Sequence, residues 1–162
     1  MGMYSNTRSI LVHDIMSHPV VTAQPDESIK SIAVKMQKHG VGSVVVVNAS
    51  EQPLGIITKG DIVRRLVTKK RLMLRMMLVT KAKNAMTSPI LTIDRKRRLE
   101  DAARFMMESK VKRLCVVSEE KKLIGIITDN DIMRHSSELI GVLNEIIDTG
   151  YVKEAGEIGI KM

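Results

Sequence analysis

Sliding the 162-residue chain against itself by 70 positions aligns Met16-Ser17-His18-Pro19 with Met86-Thr87-Ser88-Pro89. The same shift lays Gly55-Ile56-Ile57-Thr58-Lys59-Gly60-Asp61-Ile62 on Gly125-Ile126-Ile127-Thr128-Asp129-Asn130-Asp131-Ile132, with no gap between the two matches. Between Val12–Leu66 and Ala82–Ser136, 15 of 55 positions are identical. Such a chain has to fold as two copies of one unit. A unit this small buries little apolar surface by itself, so the copies are expected to pack face to face as a pseudo-twofold pair.

Each copy reads as β-α-β-β-α. A short extended piece (Val20-Val21-Thr22; Ile90-Leu91-Thr92) follows the proline, which disfavours helix before it. A helix comes next, with Ile29, Ile32, Ala33 and Met36, or Leu99, Ala102, Ala103 and Met106, recurring at i, i+3, i+4, i+7. Asp26 is the expected N-cap in copy one and Gly40 the C-terminal stop. Two strands follow, Ser43–Val47 and Leu54–Thr58 or Leu114–Val117 and Leu123–Thr128, joined by polar turns at Asn48–Pro53 and Ser118–Lys122. A last helix starts near Gly60 or Asn130. The expected organisation is a lead-in over 1–11, repeats over 12–67 and 82–136, a linker over 68–81, and a helix and tail over 137–162. The fold class is α/β, in the α+β sense.

Composition narrows the function. There are no Trp, two Tyr and one Phe against twelve Met, so the core is aliphatic and no aromatic platform exists for stacking single-stranded nucleic acid. The lone Cys115 excludes a disulfide within the chain and sits in an apolar run, Leu114-Cys115-Val116-Val117, as a buried strand residue. No signal-type segment or run of ~18 apolar residues is present, so a soluble, cytoplasmic protein without a membrane span is expected. The histidines (His13, His18, His39, His135) lack zinc-site spacing. No phosphate-binding Gly-Lys loop, dinucleotide fingerprint or Gly-x-Ser-x-Gly elbow occurs, so the chain is read as a non-enzyme that requires no cofactor.

The two Thr-x-x-Asp steps, Thr58/Asp61 and Thr128/Asp131, stand where a strand hands over to a helix. One reading is a capping box, with Thr capping the helix and the carboxylate reaching back to an orphan N–H. The other is a binding site: a carboxylate can take both ribose hydroxyls, and the Thr hydroxyl with helix-start N–H groups can meet a phosphate. Both roles can coexist.

The opening Asp14-Ile15-Met16-Ser17-His18-Pro19, the passage Gly40-Val41-Gly42-Ser43 and the twofold Gly-Ile-Ile-Thr-x-x-Asp-Ile closely resemble the cystathionine-beta-synthase (CBS) domain family in its paired form, over about residues 12–136. The resemblance implies clefts between the copies and a regulatory role. It implies sensing of an adenosine-containing ligand (AMP, ADP, ATP or S-adenosylmethionine), and signalling to an effector protein. It also implies association of two pairs into a disc-shaped homodimer. By position in the family, Val20, Thr22, Val41, Ile90, Thr92 and Val111 are candidates to flank the adenine, each equally readable as core, and His18 borders a cleft.

A phosphate beside Asp needs a cation. Copy two offers Lys112 and Arg113, where related sensors carry basic residues; copy one has Gly42 and Ser43 at the aligned positions. The two clefts are therefore expected to differ, and which Thr-x-x-Asp shares a cleft with Lys112 and Arg113 stays open at this level. The formal charge is +8, concentrated between Arg64 and Lys83, where eight basic residues meet no acidic one. This stretch reads either as a connector with solvated lysines or as a surface for an acidic partner or nucleic-acid backbone. Ser137–Ile147 has the pattern of an amphipathic helix. The alternatives to a sensor are a nucleic-acid-associated basic protein and a purely structural interaction module.

Overall fold

The structure is a computed structural model that describes residues 9–67, 75 and 78–135. Of the basic linker only Arg75 and residues 78–81 are described, and the 137–147 helix expectation lies outside the described residues. In the first repeat the elements are α1 (Val12–Ile15), β1 (Thr22–Ala23), α2 (Ile29–His39), β2 (Ser43–Val47), β3 (Pro53–Thr58) and α3 (Lys59–Val67). The second repeat has α4 (Ala82–Ala85), β4 (Thr92–Asp94), α5 (Leu99–Ser109), β5 (Arg113–Val117) and β6 (Leu123–Thr128), followed by helix over 129–135. The mixed α/β architecture is the one the repeat implies. The single-turn helices α1 and α4 were not foreseen, because four residues are too few to show a helical period.

Each repeat forms one three-stranded sheet, in the orders β1-β2-β3 and β4-β5-β6, with the first pair parallel and the second antiparallel. The registers match across the repeats: Ser43 faces Thr58 and Val45 faces Ile56, as Arg113 faces Thr128 and Cys115 faces Ile126. The central strands are buried on both faces, which is why they read as unbroken apolar runs. Val44 and Val46 pack under α2, while Val45 and Val47 turn the other way and meet Ile56 and Cys115 in a third cluster shared by the two sheets. Val20, Ile90, Leu123 and Ile126 flank that shared layer.

Two boundaries differ from expectation. The N-cap of α2 is Ser28, whose hydroxyl accepts from the Ser31 N–H at 3.2 Å; Asp26 lies two residues earlier and pairs with Lys83 at 2.8 Å. The first strand of each repeat lies two residues later than the Val20–Thr22 and Ile90–Thr92 pieces, since Val20 and Ile90 serve the shared layer before ladder pairing starts.

The repeats also exchange their opening segments. Val12 of α1 belongs to the core of repeat two, with Leu99, Leu114 and Ile127, and its N–H donates to the Arg97 carbonyl at 2.8 Å. Ala82 and Ala85 of α4 belong to the core of repeat one, and the Ala82 N–H donates to the Glu27 carbonyl at 2.7 Å. Short bridges fix each exchange: Ser17 to Ile126 and Thr87 to Ile56, each through a reciprocal pair of backbone hydrogen bonds. At these crossings Met86 lies against Gly55 and Met16 against Gly125. A Cβ on Gly55 would stand 2.6 Å from Met86 Sδ and 2.8 Å from the Thr87 carbonyl oxygen, and one on Gly125 would overlap Met16 Sδ. The duplicated glycine is thus a steric requirement of the exchange.

Gly55→Ala and Gly125→Ala should each destabilise the fold by about 1–3 kcal/mol through overpacking. Met16→Ala should relieve part of the Gly125→Ala penalty and none of the Gly55→Ala penalty, read by a double-mutant cycle in urea. Additive effects for the Met16/Gly125 pair would refute the contact.

Candidate functional site

The handover from β3 to α3 gives Thr58 and Asp61 their geometry. The Thr58 N–H and hydroxyl both donate to Asp61 Oδ2, at 2.9 and 2.7 Å, and the Asp61 N–H donates to Thr58 Oγ1 at 3.1 Å. Thr128 and Asp131 repeat the pattern at 2.9, 2.7 and 3.3 Å. The capping reading is therefore realised in both copies. It leaves Asp61 Oδ1 outside the cap, 3.6 Å from Arg64 Nη2, on a side chain 18% exposed. The Thr58 hydroxyl proton is committed to Asp61, so in this arrangement that hydroxyl offers lone pairs and not a donor. The Lys59 N–H is committed as well, to the Gly42 carbonyl at 3.0 Å.

A cleft of about 410 Å³ lies between the repeats at this point. That is within the usual range for a small-molecule site. Ile56, Thr58, Asp61 and Arg64 line it from repeat one; Thr87, Pro89, Ile90 and Leu91, and Lys110, Val111, Lys112, Arg113 and Cys115 line it from repeat two. The exchanged segment builds one wall: the Thr87–Ile56 bridge runs residues 87–91 alongside the end of β3. The start of β5 builds the other. On the open question about Lys112 and Arg113, the two line one cleft with Thr58 and Asp61 of the other copy, while Arg113 also pairs with Thr128 of its own copy in the sheet ladder.

Of the residues singled out from sequence, Thr58, Asp61, Ile90, Val111, Lys112 and Arg113 meet in this cleft. Val20, Thr22 and Val41 line a separate concavity of about 400 Å³ with Pro19, Val21, Lys35 and His39. Asp131 lines a smaller one with Asp14, Ile15, Arg134 and His135. Gly42 and Ser43 occupy the start of β2, where Ser43 pairs with Thr58. His18 and Thr92 are exposed and are not among the residues lining the Thr58–Asp61 cleft; Thr92 pairs with Cys115 in the sheet.

Sequence reasoning missed Arg64 and Lys110. The signal for Arg64 was present, since Thr-x-x-Asp-x-x-Arg occurs at both 58–64 and 128–134. With Lys112 and Arg113 they put four cations against one carboxylate along the cleft. At the positions aligned with the three repeat-two cations, copy one has Gly40, Gly42 and Ser43. Lys35, the cation of the separate concavity, is engaged by Glu27 Oε1 and the Thr22 carbonyl at 2.8 and 2.9 Å.

Residues 12–68 and 82–138 each match the family model of the CBS domain. Together they span more than half of the chain, which therefore belongs to the CBS-domain family as a tandem pair. An uncharacterised protein of Methanopyrus kandleri is 33% identical over 138 residues, covering 85% of this chain and 68% of that protein. Among solved structures, the CBS domain pair of MJ0100, in complex with 5′-methylthioadenosine and S-adenosyl-L-methionine, superposes with a TM-score of 0.69 at 25% identity, covering 80% of this chain and 98% of the other. CBSX2 in complex with AMP gives 0.66 at 25% identity, with the same coverage of both chains.

Among the described residues no helix is long and apolar enough to cross a membrane, and no group of three His, Cys, Asp or Glu side chains could hold a metal ion. Cys115 sits at the base of the cleft, 1% exposed, and burial pushes its thiol from near 9.0 up to about 12. A raised folded value means the neutral thiol is the form that folding favours. Its contribution is complete below pH 9 and falls away as the pH rises towards 12. Stability should therefore decline above about pH 9, with a shallower slope in Cys115→Val, which installs the residue that copy one carries at Val45. Thiol titration should show Cys115 reacting only after unfolding; rapid reaction of the native protein at pH 8 would contradict this.

Proposed function

We propose that this chain is a regulatory module, without chemistry of its own, that binds an adenosine-containing nucleotide in the Thr58–Asp61 cleft. The observation that carries the reading is the meeting, across the two copies, of a capped carboxylate with four cations. Asp61 Oδ1 is the acceptor for ribose hydroxyls, and Ile90, Val111 and Ile56 form the apolar slot for the base. At an effective dielectric near 20, a unit charge pair 4 Å apart is worth about 4 kcal/mol, so one carboxylate near a phosphate is offset only by several cations. Lys112, Arg113, Lys110 and Arg64 supply them. The same field disfavours a sulfonium, so AMP, ADP and ATP suit this cleft better than S-adenosylmethionine. The complexes of MJ0100 and CBSX2 support an adenosine-type ligand. Occupancy of a cleft with a wall from each repeat ties the two copies together, and that is what an effector protein would read.

At a hundred times its dissociation constant, a nucleotide adds about 2.7 kcal/mol of stability, which for a domain this size raises the melting temperature by about 5–10 °C. Asp61→Ala and Asp131→Ala should each lose about 1 kcal/mol without ligand, because each removes part of a capping box. Asp61→Ala alone should lose the nucleotide-induced shift. Equal nucleotide responses in the two variants would reduce both motifs to caps. No shift with AMP, ADP or ATP at millimolar concentration would remove the sensor reading altogether.

Two copies are further proposed to pair through the helices that follow β3 and β6. Val63 and Met133 occupy aligned positions there and are 56% and 55% exposed, a repeated apolar face suited to a symmetric partner. The double variant Val63→Glu/Met133→Glu should sediment as a monomer while the wild type sediments as a dimer. A monomeric wild type would refute the pairing.

A further inference from the structure

We propose that two copies of this chain pair antiparallel, with the basic outer face of α2 in each copy laid on the acidic outer face of α5 in the other. This rests on the pairing proposed above and goes beyond it by assigning which repeat meets which, and the charged residues that decide it.

Each long helix presents one exposed stripe, at the same positions of the duplicated unit. On α2 it is Lys30, Val34, Gln37 and Lys38; on α5 it is Glu100, Arg104, Met107 and Glu108. Both follow i, i+4, i+7, i+8, so each is one continuous helix face. The sign changes between the copies: Lys30 aligns with Glu100, and Lys38 with Glu108. Among the described residues Lys30, Lys38 and Glu108 make no ion pair, and Glu100 meets Arg98 at 3.5 Å with both side chains more than half exposed. Arg104 is the single cation of the α5 stripe. Each stripe also carries one exposed apolar side chain, Val34 at 53% and Met107 at 74%.

Within one chain the two stripes cannot meet. Val44 and Val46 of β2 pack under α2, and Leu114 and Val116 of β5 pack under α5, while Val45, Val47 and Cys115 face the layer between the sheets. Both sheets therefore stand between α2 and α5, which look out from opposite sides of the chain. The complement of each face is carried on the same chain, so a second copy fits it. A copy turned about a two-fold axis satisfies both faces at once, α2 on α5 and α5 on α2. The lysines of one stripe and the glutamates of the other are each spaced by about 12 Å along the helix, so both contacts form together. Arg104 falls between the glutamates, and its stem can lie over Val34 with the guanidinium in water. The other arrangement, α2 on α2 and α5 on α5, sets lysines against lysines and glutamates against glutamates. Like charges in contact select against it.

The test is sedimentation of the full chain at about 0.05 M and about 0.5 M salt. Lys30→Glu/Lys38→Glu and Glu100→Lys/Glu108→Lys should each raise the dimer dissociation constant by at least about tenfold at the lower salt. All four substitutions together should restore it to within about threefold of wild type. The lysine variant removes half of the formal +8 charge, which alone favours association, so its weakening reads the local contact. High salt should weaken the wild-type dimer and narrow these differences. Chains carrying Val34→Cys and Met107→Cys, each in the Cys115→Val background, should cross-link through a short bismaleimide when mixed, and Val34→Cys chains alone should not. Either paired variant dimerising as tightly as wild type, no recovery in the fourfold variant, or ready cross-linking of Val34→Cys chains to one another would overturn this arrangement. Each of those results leaves the pairing through Val63 and Met133 standing. A monomeric wild type would overturn that pairing as well.

Discussion

The exchange of opening segments is the interaction on which the rest of the molecule depends. Met16 and Ser17 cross to Gly125 and Ile126, and Met86 and Thr87 cross to Gly55 and Ile56. Each repeat therefore completes its core with a turn of helix from the other, Ala82 and Ala85 in one case and Val12 in the other. Neither repeat can be removed without opening the core of its neighbour. The same crossing brings residues 87–91 against the end of β3 and so creates a cleft with one wall from each copy. Packing and site formation are one event in this fold.

Symmetry of backbone then coexists with asymmetry of charge. Both copies hold Thr and Asp in the same three hydrogen bonds, because a strand-to-helix turn leaves orphan N–H groups that this pair satisfies. What differs is the neighbour supplied by the other copy. Thr58 and Asp61 share a cleft with Lys110, Lys112 and Arg113, whereas the aligned positions of copy one are Gly40, Gly42 and Ser43. Duplication supplies the scaffold and local substitution at one helix cap and one strand start gives the cleft its sign.

Much of this was legible in the sequence, for definite reasons. Four of the six strands were placed to within a residue, because β2, β3, β5 and β6 are buried runs bounded by polar turns. The helix faces followed from apolar spacing, and Ile29, Ile32, Met36, Leu99, Ala102 and Met106 are all buried. The N-cap at Ser28 was missed because Asp26 is an equally good capping residue on local chemistry alone; only the ion pair with Lys83 shows where it is used. The role of Gly55 and Gly125 was invisible, since it lies in contact with a methionine from the other repeat. The meeting of Asp61 with Lys112 and Arg113 in one cleft was equally out of reach, because sequence order places Asp131 nearer to them than Asp61.

The central claim is that two segments distant in sequence, around Thr58–Arg64 and Lys110–Arg113, form a single nucleotide site. Amide hydrogen exchange measured with and without ATP tests it most directly. The account predicts that saturating ATP slows exchange in both segments together, with the effect in both lost in Asp61→Ala. Protection confined to one of the two segments, or none at saturating nucleotide, would contradict it.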